Sequence, residues 1–202
     1  MMKKTAAGDT ERAWLFYSHG KGNKDQTFCT IPKSNNPKKT YQYHRRIRKS
    51  RNKEYLASCF GWCVCSYTSN RRRLFLWNPV TLEKITLPPL NPWFFGSCSC
   101  GYCLLSSPPT EPDCMLMLFA KNRPMILYCW IDDNDEEWTE VNYNAELNWS
   151  LQNVYKTNEN RPRECLLICP VWCNGYLYAM TSCRRNILVQ IHDSSWLFST
   201  PI

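Results

Sequence analysis

Apolar and polar positions along the chain fall into short runs, each about a strand long and most closed by a turn signal. AWLFYS opens with an apolar run, and QTFCTI alternates over a short window. YLASCFGWCVCSY is rich in aromatic and small residues and predicts a strand with an internal break at Gly61. RRLFLWNPVT predicts a strand ended by the turn signal Asn78-Pro79, and EKITLPPL alternates until Pro88 and Pro89 stop it. GSCSCGYCLLSSPP repeats the earlier Gly-aromatic pattern, and DCMLMLFA, PMILYCWID and EWTEVNY follow as three short strands between polar turns. LLICPVWCNGYLYAMTS and RNILVQIHD predict a hairpin around Arg184 to Asn186. Helical character is confined to NAELNWSLQNV, from about Asn144. Evenly spaced short strands with turn signals mean an all-β sandwich, barrel or propeller.

Internal repetition chooses among these. Three segments share the order small residue or Gly, aromatic, apolar alternation, polar turn, apolar strand, and they centre on Gly61-Trp62, Gly101-Tyr102 and Gly175-Tyr176. The first two lie about 40 residues apart and the third near twice that step further on, as four-stranded propeller blades would. One blade cannot bury both of its faces alone, whereas stacked blades bury them against each other. Trp62 is therefore expected to pack between blades, Asn78-Pro79 to turn the chain, and the pair Pro88-Pro89 to end a strand. At about 42 residues per blade, the chain is expected to supply about four blades. Residues 1–13 read as a disordered polar tail, and 14–202 as one propeller-like domain.

Composition narrows the setting. The 202 residues include 13 Cys, 9 Trp and 11 Tyr but only 7 Gly. The polar stretch after Lys4 does not read as a secretory signal, and the longest apolar runs fall short of the roughly 20 residues of a membrane helix. An odd number of thiols scattered through apolar segments suits a reducing cytoplasm or nucleus. The net charge of +8 is uneven. Residues 1–73 hold 17 Lys or Arg and 4 Asp or Glu, a local +13, and the remainder is acidic. The excess peaks in KKTYQYHRRIRKSRNK, Lys38 to Lys53. A solvated loop between strands accounts for it; the competing reading is a nuclear-import or nucleic-acid segment within 38–73, with Tyr41 and Tyr43 available to stack on bases.

Candidate chemistry is sparse. Cys98, Cys100 and Cys103 give overlapping CxC and CxxC spacings, and Cys63 with Cys65 could complete a zinc site, but a second CxxC is missing. In a regular strand Cys98 and Cys100 would share one face and Cys103 would take the other. His19, His44 and His192 sit in no triad or metal spacing, and there is no Gly-rich phosphate loop, GxSxG or HExxH. The acidic run Asp132 to Glu137 lacks the ligand order of a calcium loop and reads as a solvated turn. No catalytic, cofactor-binding or metal-ligating residue is assigned, and an enzyme is not expected. Gly61, Trp62, Asn78, Pro79, Pro88 and Pro89 stand as structural markers only.

WLFYSHG, DQTFCTI, SCFGWCVCS and above all LFLWNPVTLEKITLPPL resemble a plant F-box-associated family, "domain of unknown function 295". CLLSSPPTEPDCMLMLFA, LYCWIDDNDEEWTEVNY, CNGYLYAM and ILVQIHD continue the likeness, from about Trp14 to Asp193. The resemblance implies a kelch-like β-propeller that presents a protein substrate. Complete members often carry an amino-terminal F-box, which docks onto a cullin-type ubiquitin ligase. No F-box precedes WLFYSHG here, and the family usually continues with further strands after the equivalent of RNILVQIHDSS. A short family member or the product of a truncated gene is expected, with any ligase link indirect. The expected partner is thus an unidentified protein, without membrane or cofactor. An open ring leaves strand edges and apolar blade faces unpaired, so marginal stability is expected of the isolated chain.

Overall fold

The computed structural model describes residues 14–19, 25–30, 47–48, 53–67, 70–79, 81–92, 100–131, 137–151, 165–192 and 195–199, with backbone alone before residue 53. The 1–13 segment, Cys98, most of 38–52 and residues 132–136 lie outside the described residues. Strands β1 (Trp14–His19), β2 (Asp25–Thr30) and β3 (Ile47–Arg48) form a three-stranded antiparallel sheet. Three four-stranded antiparallel meanders follow. The second sheet holds β4 (Lys53–Cys59), β5 (Trp62–Tyr67), β6 (Asn70–Trp77) and β7 (Lys84–Pro89). The third holds β8 (Cys100–Leu105), β9 (Met115–Ala120), β10 (Met125–Trp130) and β11 (Thr139–Asn142). The fourth holds β12 (Leu167–Cys173), β13 (Tyr176–Thr181), β14 (Asn186–His192) and β15 (Ser195–Ser199). Helix α1 (Asn144–Leu151) joins the third sheet to the fourth. Among the described residues strands predominate and Asn144–Leu151 is the one helix longer than a single residue, and the architecture is a partial β-propeller.

The sheets stack as blades because their strands are apolar on both faces. All six residues of β9 are buried, and they alternate strictly between two cores. Met115, Met117 and Phe119 meet Leu177, Ile187, Val189, Trp196 and Phe198 of the fourth sheet. Leu116, Leu118 and Ala120 meet Trp62, Val64, Leu74, Leu76 and Leu87 of the second. Each buried leucine or phenylalanine contributes about 1.5–3 kcal/mol of burial, so neither interface is dispensable. A third cluster, Cys63, Cys65, Phe75 and Trp77, occupies the other face of the second sheet. There Lys84 Nζ lies 4.8 Å from the Phe75 ring centre and donates to the Tyr67 hydroxyl at 2.7 Å, while Lys53 Nζ stands 5.2 Å from the same ring.

Neighbouring blades are also pinned by directed bonds. The Trp138 indole donates to the Pro88 carbonyl at 2.8 Å, tying the second blade to the third. The Leu167 amide donates to the buried Tyr143 hydroxyl at 3.0 Å, and Ser150 Oγ of α1 donates to the Phe198 carbonyl at 2.6 Å, tying the third to the fourth. The helix buries Leu147 and Leu151 in the same core.

Several sequence expectations are redrawn by this topology. The 55–67 run is a hairpin, β4–β5, with Phe60 (φ 51°) and Gly61 (φ 77°) as its two-residue turn. The 166–182 run is likewise a hairpin, β12–β13, turning at Asn174 (φ 51°) and Gly175 (φ 79°). Gly101-Tyr102 is not the equivalent of these two: it lies inside β8, and the β8–β9 connection is a longer loop over 106–114. Its glycine serves a bulge, because a Cβ at Gly101 would stand 3.2 Å from Lys121 Cα. Strands β3 and β15 belong to no element the sequence pattern had indicated.

Phe119→Ala and Leu118→Ala remove anchors from opposite faces of one strand, and each is expected to cost about 2–5 kcal/mol in urea or guanidinium unfolding. Both should leave a single cooperative transition if the blades unfold together.

Candidate functional site

The first strands of the three four-stranded blades converge, with β8 lying against both β4 and β12. Each carries a bulge against its neighbour: between Tyr55 and Ala57 in β4, Cys100 and Tyr102 in β8, and Ile168 and Val171 in β12. An extra residue bends a strand and increases its twist, which suits strands that must crowd together at one end of each blade. In β12 the bulge puts Cys169 at φ 49°, and its thiol lies 3.8 Å from the Tyr102 hydroxyl of β8.

Where these strands end they enclose a cleft of about 240 Å³ lined by Cys59, Phe60, Leu104, Leu105, Pro170, Val171 and Trp172. The volume is below the roughly 300–1,000 Å³ of pockets for drug-sized ligands, and suits one apolar anchor side chain. Among the described residues the lining holds no carboxylate, imidazole, amine or guanidinium. Among the described residues its titratable group is the Cys59 thiol, which burial pushes up although a backbone bond at Leu105 partly offsets this. Such a lining can desolvate an apolar group.

Phe60 is the feature of this cleft that backbone chemistry does not explain. It occupies the first position of a type I′ turn, where Asn, Asp or Gly is favoured and where Asn174 stands in the corresponding turn of the fourth blade. A bulky residue in the left-handed region costs roughly 1–2 kcal/mol. The residue is nevertheless 52% exposed, so burial does not return that cost, and Val171 across the cleft is 57% exposed. Strain held without a packing reward points to use of the side chain.

The residues singled out in the sequence are dispersed. Gly61 completes the Phe60 turn beside the cleft, and Trp62 is 4% exposed in the core between the second and third blades. Asn78 and the buried Pro79 open the β6–β7 loop, where Asn78 Oδ1 accepts from the Thr81 amide at 3.1 Å and the Asn78 carbonyl from the Leu82 amide at 2.9 Å. Pro88 and Pro89 occupy the last two positions of β7, an edge strand, where a missing N–H breaks no central ladder. Cys63 and Cys65 face away from the core that Cys100 and Cys103 join, so the four are not brought together. Cys100 and Cys103 are both packed against one core because the Gly101 bulge shifts the alternation by one residue; Cys103 does not take the opposite face. Among the described residues, no group of three or more His, Cys, Asp or Glu is arranged to hold a metal ion. None of these markers identified the cleft, which depends on three bulged strands far apart in sequence.

Stacked four-stranded meanders with converging first strands define the class: a β-propeller. The KIB1-4 β-propeller family model matches residues 28–198, and the chain belongs to that family. No curated protein matches the chain. Among the described residues no helix is long and apolar enough to cross a membrane.

Burial pushes the Cys63 and Cys100 thiols up to about 11 and the Cys65 thiol up to about 12, and the Tyr143 phenol up to about 12. The native state holds these protons after the unfolded chain has lost them, so their contribution is complete below the ordinary thiol value of 9.0 and lost as pH rises through 11 to 12. Chemical unfolding across pH 8 to 11 is expected to show stability falling steadily above about pH 9.

Proposed function

We propose that the chain is a non-enzymatic protein-interaction module whose cleft at the ends of β4, β8 and β12 receives an apolar side chain of a partner beside Phe60. The observation that carries this reading is a large aromatic held exposed, at conformational cost, on the rim of a cleft whose described lining is apolar apart from the Cys59 thiol. The likeness to plant F-box-associated proteins of the "domain of unknown function 295" type supports a history in cullin-type ubiquitin ligases and a kelch-like role in presenting a substrate. A cytoplasmic or nuclear setting goes with it. Docking to the ligase itself is indirect in this reading.

Nucleic acid through the basic 38–73 segment is the weaker alternative. Among the described side chains of that segment, the Lys53 ammonium lies over the Phe75 and Trp77 rings, and Arg72 and Arg73 are exposed. Phosphate contacts would make retention on nucleic acid fall steeply with salt.

Phe60→Asn separates the fold from the function. Asn-Gly suits the turn, so the variant should keep or gain up to about 1 kcal/mol of stability. Proximity labelling in plant cells at matched expression should recover reproducible protein partners with the parent chain and lose them with the variant. An unchanged partner set would remove the cleft from the account. Salt-sensitive retention on nucleic acid with no protein partner would favour the alternative.

A further inference from the structure

Cys165 and Cys183 form a thiol pair that the interaction role does not use. Cys165 precedes β12, Cys183 lies in the turn between β13 and β14, and their sulfurs are 2.9 Å apart. The backbone fixes this approach. Leu167 pairs with Thr181, and one step outward the Ser182 amide donates to the Leu166 carbonyl at 2.7 Å while the Leu166 amide donates to Ser182 Oγ at 3.0 Å. Cys165 and Cys183 are the next residues out on each side, Cys183 within the turn, and their sulfurs meet there. The turn itself is rigid: the Thr181 carbonyl accepts from the Arg184 amide at 2.8 Å, and Thr181 Oγ1 accepts from the Arg185 amide at 2.9 Å. Thr181 Oγ1 also lies 3.0 Å from the Cys183 sulfur.

We propose that Cys165 and Cys183 are a redox modification site that a peroxide converts to a cross-strand disulfide, clamping the start of β12 to the β13–β14 turn. Cys183 is half-buried and reachable, whereas Cys165 is buried, so their roles differ. The Cys183 sulfur attacks hydrogen peroxide: an S–O bond forms, the O–O bond breaks, and one water leaves with the thiol proton on the departing oxygen. The Cys165 sulfur then attacks the sulfenic acid: the S–S bond forms, the S–O bond breaks, and a second water leaves carrying the Cys165 proton. Two thiols are oxidised and one peroxide is reduced to two waters. Burial, which pushes the Cys165 thiol up, suits the resolving partner rather than the first attacker. The clamp closes next to the Leu167–Tyr143 bond and on the strand that carries Pro170, Val171 and Trp172, so it stiffens both the third-to-fourth blade joint and one wall of the cleft.

The test uses the full chain, reduced, freed of reductant, titrated with hydrogen peroxide, alkylated and mapped by mass spectrometry. The expected result is one linked species joining the Cys165 and Cys183 peptides, lighter by two hydrogens, with a melting temperature raised by about 6–12 °C and reversed by dithiothreitol. Cys183→Ser should leave Cys165 alkylatable after the same treatment and abolish the rise. If that variant does not fold, the map of the parent chain decides alone. Recovery of Cys165 and Cys183 both alkylated, linked to other cysteines, or with Cys183 driven to sulfinic acid beside a free Cys165 would overturn the site.

Discussion

The fold depends on β9 being buried on both faces. A strand in an isolated meander would present one apolar face to water, but the alternate residues of Met115–Ala120 serve two different cores. The third sheet therefore requires neighbours on both sides, and the second and fourth sheets each gain a buried face by supplying them. Several cysteines follow the same logic, with Cys63, Cys65, Cys114 and Cys129 buried in these clusters or beside them as small hydrophobes.

Stacking also creates the cleft. Face-to-face packing brings β4, β8 and β12 together, and the bulge in each bends it at the place where they crowd. The two-residue turns at Phe60-Gly61 and Asn174-Gly175 differ in one respect that matters: Asn is at home in the left-handed region and Phe is not. The interaction reading rests on that difference, since the same turn could be built at lower conformational cost.

Much of the strand content was legible because alternation and Pro, Gly and Asn signals mark where strands end. The boundaries failed where a local rule was broken. A Phe at the first turn position hid the hairpin in YLASCFGWCVCSY, since Phe-Gly does not read as a type I′ turn. The Gly101 bulge shifted the phase of β8 by one residue, which reassigned Cys103 and set the middle repeat marker out of step. SWLFS does alternate, and β15 could have been read from it; β3, two residues in a basic stretch, could not. The cleft and the Cys165–Cys183 pair were not legible at all. Both arise from strand convergence and register across residues distant in sequence.

Amide hydrogen exchange resolved by peptide tests most directly whether two-faced burial of one strand holds the blades together as a unit. The account predicts that Met115–Ala120 exchanges slowest and that the β4, β8 and β12 segments open with it, at one free energy matching global unfolding. Exchange of the second and fourth sheets at separate, lower free energies, with β9 no better protected than edge strands β7 and β15, would contradict it.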